Sequence, residues 1–325
     1  MIRSCVYSKN KLIQGLDFEA TLRYMKSKKN FVWVDLQNPT PTELASLRLK
    51  LEFHPLTIED VLNEHQRPKI ENFGEYIYIV VKIPTGSNFE EDVSQINMFL
   101  SSNYIITISL KPIPSVEGVF QKCLKDQNVL RRGPDFVVYL LLDSVVDAFF
   151  PLIEEMDDEV DRVEKELFKE PDSEMLSLLF ELKRKVLAIR RLSWPLRNIL
   201  GVISRRDIGY TREENIVYFR DVSDHLIRIN EMTDTVRDLI ASSMQGYLSI
   251  VSNNLNNIMK RLASLAAIIT IPTLIASIYG MNFNPALSPY NMPELNWVYG
   301  YPFAIGLMVL TTGCMLYFFR KSEWL

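Results

Sequence analysis

The stretch LASLAAIITIPTLIASIYGM, Leu262–Met281, carries no charged residue and runs directly into Asn282 and Phe283. It has the roughly 20 residues that a helix needs to cross about 30 Å of hydrocarbon. A second uncharged stretch, Val298–Phe319, has the same reach, so the chain is expected to end in a two-span hairpin. Basic residues flank this hairpin on one side only: Lys260 and Arg261 precede the first span, and Arg320 and Lys321 follow the second. Positive charge stays inside, so both flanks and both termini are expected to be cytoplasmic. The connecting segment Asn282–Trp297 has no Lys or Arg and should face outward.

On a helix at 100° per residue, Asn256, Met259, Ala263, Ala266, Thr270, Thr273, Ser277 and Met281 share one face. Close helix packing through small residues accounts for such a stripe as well. Asn256 and Asn282 at its two ends favour an aqueous path. Two helices cannot enclose a pore, so several subunits would each contribute this face. No Asp, Glu, His or Cys occurs from Leu262 to Pro289, so the path holds no side chain able to strip a tightly hydrated ion. Mg2+ holds its waters strongly and is usually bound with several still attached. A ring of Asn282 amide oxygens, with Gly280 carbonyls behind it, would accept hydrogen bonds from those waters. Pro272 removes one rung of the helical ladder, as a tolerated kink or as a hinge.

Upstream, Phe31–Leu36, Tyr76–Ile83, Val93–Leu100 and Tyr104–Ile108 are rich in β-branched and aromatic residues and read as strands, with helical segments such as Pro41–Leu51 between them. From about Asp135 the pattern is helical. Phe136–Phe150 is too short for a span, and Asp143 and Asp147 fall one turn apart on one face, which makes it a buried soluble helix. It should continue past Pro151 into an acidic stretch, turn near 169–173 and return to about Arg206. A final helix should begin near Arg212 and run unbroken into the first span, about 70 residues or roughly 105 Å. Its apolar positions, from Phe219 to Leu255, recur mostly at three- and four-residue steps, as in a coiled-coil stalk.

Composition agrees. The 325 residues leave room for two domains. Residues 1–259 hold 32 basic and 38 acidic side chains, a net charge that disfavours a nucleic-acid partner and suits multivalent cations. Cys5, Cys123 and Cys314 have no metal-ligand spacing, and the first residues lack a signal-peptide core. No phosphate-binding glycine loop and no spaced nucleophile and base point to an enzyme.

The string YGMNF (Tyr279–Phe283), then MPEL (Met292–Leu295), GYP (Gly300–Pro302) and a basic group with Trp324-Leu325 resembles the CorA family of divalent-cation channels and transporters. EDVLNEHQRPKIENFGEYIYIVVK (Glu59–Lys82) and YFRDVSDH (Tyr218–His225) are similar to two further signatures of that family. The segment NPALSPYN lengthens the outer loop beyond the family pattern. The resemblance implies an α+β cytoplasmic domain, an α/β sandwich plus a helical hairpin, joined by a very long stalk helix to two transmembrane helices in a funnel-shaped homopentamer. The segments would be residues 1–134 (α/β domain), 135–211 (acidic hairpin), 212–261 (stalk), 262–281 (pore helix), 282–297 (outer loop), 298–319 (outer span) and 320–325 (basic tail).

The function implied is passive entry of hydrated Mg2+ across the cell membrane, with Co2+ and Ni2+ as further candidates and no organic cofactor. Zn2+ transport within the same family and a non-conducting two-span sensor or scaffold stay open as alternatives. Gly280, Met281 and Asn282 would form the selectivity filter, and Glu294 an acidic ring that gathers cations. Asp221 stands where the family helps bind a regulatory cation between subunits, with a partner sought among Glu90, Glu91 and Asp92. Asp224 and His225 are weaker candidates, since a lone histidine is more often a surface or core residue; His54 and His65 are read in that way. Eleven acids lie between Glu154 and Glu174, a solvated face that would hold a diffuse cloud of cations.

Overall fold

The computed structural model describes residues 2–64, 66–86, 92–167, 173–205, 207, 209–284, 287–288 and 290–324, and separates into two units, Met1–Ser243 and Met244–Leu325.

The first unit is built on a seven-stranded sheet. Its strands are β1 (Ile2–Ser8), β2 (Lys11–Gln14), β3 (Phe31–Gln37), β4 (Lys69–Asn72), β5 (Ile77–Pro84), β6 (Val93–Leu100) and β7 (Tyr104–Ser109). They lie in the order β2-β1-β3-β7-β6-β5-β4, antiparallel except for the parallel pair β3–β7. The central strands are buried on both faces, which is why FVWVDL and IYIVV read as nearly continuous apolar runs. Helices α1 (Phe18–Met25), α2 (Pro41–Leu51) and α3 (Pro55–Leu62) close one face, where Leu22, Leu44, Leu47 and Val61 pack with Val34, Tyr78 and Ile106. On the other face Trp33 meets Phe120 of α4 (Pro114–Lys125) edge-on at 4.9 Å. The short α5 (Gln127–Arg131) leads into α6 (Pro134–Asp147), which contacts β3, β6 and β7.

Strand and helix positions in the middle of this unit follow the sequence pattern closely, Val93–Leu100 and Pro41–Leu51 without change. The Thr40 hydroxyl and the Glu43 carboxylate cap α2 reciprocally, with Pro41 at its start. Strands β1, β2 and β4 were not expected. Two of them are four-residue edge pieces, and β1 mixes Arg, Ser and Cys among its apolar residues.

Helix α6 does not run on past Pro151. It stops at Asp147 and α7 begins at Phe150, extending to Leu167. The proline ring would collide with the carbonyl of Asp147 and supplies no N–H, so it is accommodated only in the first turn of a new helix. Helix α8 (Ser173–Ser204) returns antiparallel to α7, and the turn between them lies outside the described residues. Helix α9 (Ile216–Tyr279) follows a 3-10 turn at Glu213–Asn215 and is continuous through Pro272. Its buried apolar positions, among them Phe219, Val222, Leu226, Ile229, Val236 and Ile240, lie in the first unit.

The second unit holds the C-terminal part of α9 and α10 (Gly300–Lys321). Between them a 3-10 turn, Pro293–Asn296, folds back so closely that a Cβ at Gly300 would strike the Glu294 carbonyl. That explains the glycine of the GYP string. Among the described residues three helical stretches are apolar and long enough to cross a membrane: Pro134–Leu167, which spans α6 and α7, Glu213–Tyr279 and Gly300–Lys321. In the first, 56% of the most apolar window is buried inside the protein, against 6% and 11% in the other two. The apolar surface of the first is therefore consumed by the core, whereas the other two leave theirs open.

Candidate functional site

Within the second unit α9 has two unlike faces. Ser264, Ala267, Ile268, Ile271, Pro272, Ile275 and Tyr279 are buried or half-buried, and Ala304, Leu307, Met308, Thr311, Thr312, Met315 and Phe319 form a matching covered stripe on α10. The other face of α9 carries the residues assigned to the stripe, except Met281, which lies past the helix end at Tyr279. Asn256, Met259, Ala263, Ala266, Thr270, Thr273 and Ser277 are all exposed.

The Thr270 hydroxyl donates to the Ala266 carbonyl at 2.8 Å and the Thr273 hydroxyl to the Ile269 carbonyl at 2.7 Å. Their protons are thus turned into the helix, and their oxygens remain outward as acceptors. Acceptors suit a hydrated cation, whose waters present hydrogen atoms. Near the N-terminal end of the stripe, Asn253, Asn256 and Asn257 border a cavity of about 580 Å3 with Lys260 and Trp324.

At the far end the helix stops at Tyr279. The Gly280 amide still reaches the Ala276 carbonyl at 2.9 Å, and Met281 that of Ile278 at 3.2 Å, but Asn282 has left the helix and is exposed. Glu294 is half-buried in the 3-10 turn, and Asn291 donates to the Asn284 carbonyl at 3.0 Å across the loop. Trp297, Tyr299 and Tyr301 are exposed beside it, aromatic residues of the kind found where a span meets the headgroups.

A second constellation lies in the first unit, where α6 meets the start of α9. Three groups of contacts join these helices. First, the buried Asp135 carboxylate accepts from the Asn215 amide at 2.8 Å and the Arg212 backbone N–H at 2.9 Å. Burial pushes its pKa up, and these hydrogen bonds oppose that rise. Second, Phe136 and Tyr139 pack on Tyr218 at 5.3 and 5.1 Å, with Arg132 over the Phe136 ring. Third, Asp143 and Asp147 of α6 face His225 of α9, and one ligand atom from each lies within 4.8 Å of the others.

Burial pushes the Asp143 carboxyl up, and the charge of Asp147 adds to this. His225 pulls it back, and Asp221 raises it again, so Asp221 stands close enough to be felt. The Tyr139 hydroxyl is pushed up to about 12, by burial first and then by Asp143 and Asp221. The His225 Nδ1 is itself buried and has no hydrogen-bond partner. Two crowded carboxylates and an orphaned imidazole nitrogen are a donor set that a divalent cation would satisfy.

The structure therefore brings His225 to a carboxylate pair on α6, with Asp221 outside the group of three but near enough to act on Asp143 through its charge. Asp224 is exposed outside this group. Asp92 lies at the end of the β5–β6 hairpin, where its carbonyl accepts from Thr85, and it does not join the cluster. Glu90 and Glu91 lie outside the described residues, as do His65, Glu170 and Asp172. His54 caps α3, its Nδ1 accepting from the Leu56 amide at 3.3 Å. Asp143 and Asp147 were not expected as ligands; the available signal was a pair of acids one turn apart on an otherwise apolar, buried helix.

The family described as "CorA-like Mg2+ transporter protein" matches residues 28–321. The chain belongs to the CorA family. The cobalt/magnesium transport protein CorA of Thermotoga maritima is 37% identical over 275 residues, covering 84% of this chain and 77% of that one. The putative metal ion transporter YfjQ of Bacillus subtilis is 31% identical over 291 residues, covering 89% of each. The complete structure of the CorA magnesium transporter from Methanocaldococcus jannaschii superposes with a TM-score of 0.82, covering 100% of this chain and 99% of that chain at 23% identity, which shows the shared fold. For this CorA homologue the apolar C-terminal helices accord with a family of membrane transporters.

Proposed function

We propose that several copies of this chain, five by family resemblance, surround a pore in the cell membrane that admits hydrated Mg2+ passively and closes when cytoplasmic Mg2+ is high. The observation that carries this reading is the exposed stripe from Asn256 to Ser277, in which Asn256, Thr270, Thr273 and Ser277 are polar and Met259, Ala263 and Ala266 uncharged and apolar, opposite the face that α10 covers and leading to Gly280-Met281-Asn282. Leu248, Leu255, Leu262 and Ile269 are also exposed, seven residues apart, with Ile258 and Leu265 between them. Such a heptad seam is what a helix offers to copies of itself. Both termini would be cytoplasmic.

Passage needs no bond to the ion itself. The Thr270, Thr273 and Ser277 oxygens and the Asn282 amide would accept from the ion's waters, and Glu294 would raise its local concentration at the mouth. The negative interior drives entry by about 2.3 kcal/mol per charge per 100 mV. The names of the relatives extend the cargo to Co2+.

Closure would use the α6–α9 contact. Asp143 and Asp147 repel one another while unliganded; with His225 and Asp221 they would hold a cation and pin α6 to α9, the helix that continues to the filter. Repulsion returns when internal Mg2+ falls. The ion must bind the closed state more tightly than the open one, since equal affinity shifts nothing.

The test is flux into liposomes containing only this protein, with Mg2+, Co2+ and Zn2+ compared. Saturable Mg2+ entry that internal Mg2+ suppresses is the expected result. No flux of any of the three would leave the chain a sensor or scaffold, and Zn2+ alone would make it a zinc transporter.

A further inference from the structure

Away from both constellations, a cavity of about 920 Å3 opens in the first unit between α8 and the β4–β5 side of the sheet. Four cations line it: Arg67 from the segment before β4, Lys82 of β5, and Arg190 and Arg191 of α8. Gln66 and the half-exposed ring of Trp194 complete the polar and aromatic parts, and the remaining wall is aliphatic and proline. The cavity is independent of the proposed ion pathway.

Among the described residues the carboxylates nearby do not balance this charge. Lys69, two residues beyond Arg67, is already neutralised by Asp60 at 2.7 Å and Glu71 at 3.0 Å. Arg190 reaches Asp234 at 3.5 Å, but that carboxylate is shared with Arg237 at 3.0 Å. Burial lowers the Lys82 pKa, and among the described residues only Glu64 opposes that. Arg67 and Arg191 form no ion pair among the described residues. Two guanidinium groups and a desolvated ammonium thus line one cavity without an ion-pair partner among the described residues, the Arg191 Nε donating only to the Leu187 carbonyl at 3.4 Å, in a unit whose sequence is net acidic.

Converging cations repel, and an anion that bridges them removes the repulsion. Guanidinium groups grip phosphate oxygens through paired N–H donors, and ammonium serves as a point charge. Trp194 already carries a flat cation on its ring, with the Arg190 guanidinium 5.6 Å from the centroid. An indole face beside a guanidinium plane is a platform for a planar heterocycle. The volume lies in the range of small-molecule sites.

We propose that this cavity binds a nucleoside polyphosphate, with its phosphates on Arg67, Lys82 and Arg191 and its base against Trp194. Bound there, it would join α8 to the edge of the sheet.

The experiment is calorimetric titration of ATP into the full-length protein in phosphatidylcholine nanodiscs, with EDTA present so that no divalent cation contributes, alongside tryptophan fluorescence. Expected are saturable heat with one ATP per chain, quenching that is absent in Trp194→Phe, and affinity reduced about tenfold or more by each of Arg67→Ala and Arg191→Ala. Arg162→Ala, an exposed arginine on α7, should bind as the parent does. Absence of saturable binding, or undiminished binding by the Arg67→Ala/Arg191→Ala double variant, overturns the proposal. So does pyrophosphate competing as well as ATP, because the base would then contribute nothing.

Discussion

The two cation-related regions of this molecule are built from opposite chemistry. At the α6–α9 contact two carboxylates and an imidazole converge within 4.8 Å, and the Asp143 carboxyl is pushed up in pKa by burial first and then by the charge of Asp147. Along the exposed face of α9 and on to Asn282 the side chains from Ala263 are neutral, and the Thr270 and Thr273 hydroxyl protons are spent on the helix backbone. Charge and close approach make a place where a cation rests. Neutral acceptors on an open face make a place that a hydrated cation passes, because no single contact is strong enough to hold it. The function proposed above, entry that closes when internal Mg2+ is high, needs both.

The sharpest break in this comparison comes at the filter. Asn282→Ala removes the amide oxygen at the mouth, and Mg2+ entry into proteoliposomes should fall to the level of protein-free vesicles while the protein still assembles. Resting-site variants should behave differently. Asp143→Ala or Asp147→Ala should weaken Mg2+ protection of the cytoplasmic part against proteolysis at least tenfold in Mg2+ concentration, about the 1.5–3 kcal/mol of one charge-assisted contact. They should also reduce closure by internal Mg2+ without altering which ions pass. Asp221→Ala should act in the same direction. An unchanged closing concentration in all three would place the sensor elsewhere, first among the acids of Glu154–Glu174.

The contact between α6 and α9 is also a stability contact. Asp135→Ala leaves the Asn215 amide and the Arg212 N–H without their shared acceptor, so the denaturation midpoint should drop by the equivalent of about 1–3 kcal/mol. Asp143→Ala, by contrast, should raise stability slightly without divalent cations, since it relieves repulsion.

The smallest effect is in pH. Because the folded Asp143 carboxyl is raised, it takes up protons that the unfolded chain does not, and acidification through that range stabilises the cation-free fold. With cation present the sign reverses, because protons displace the ion. In the cation-free fold that titration should fall at a pH above the usual carboxylate range near ~4, and Asp147→Asn, which removes the neighbouring charge, should move its midpoint down.

Much of this was legible in the sequence for a physical reason. The central strands and the two apolar C-terminal helices bury or expose long uniform faces, and uniform faces leave periodic patterns, as in Val93–Leu100 and in the stripe ending at Ser277. Edge strands β2 and β4 pair on one side only and leave almost no pattern in four residues. The resting site was half legible. YFRDVSDH pointed to Asp221 and His225, but their neighbours Asp143 and Asp147 come from a helix some 80 residues earlier in the chain, and only packing brings them together. The basic cavity escaped for the same reason, since Arg67, Lys82 and Arg191 are scattered through a sequence whose overall charge is negative.

The central claim is that ions move along the exposed face of α9 and not along the face that α10 covers. With the exposed Cys314 changed to serine and Cys5 and Cys123 buried, single cysteines can be placed at Thr270, Thr273 and Ser277, or at Ile268, Ile271 and Ile275. A water-soluble thiol reagent added to proteoliposomes during Mg2+ flux should label the first three and stop the flux, while leaving the second three unlabelled and conducting. Equal labelling of both faces, or flux that continues through fully labelled Ser277→Cys protein, would contradict the account.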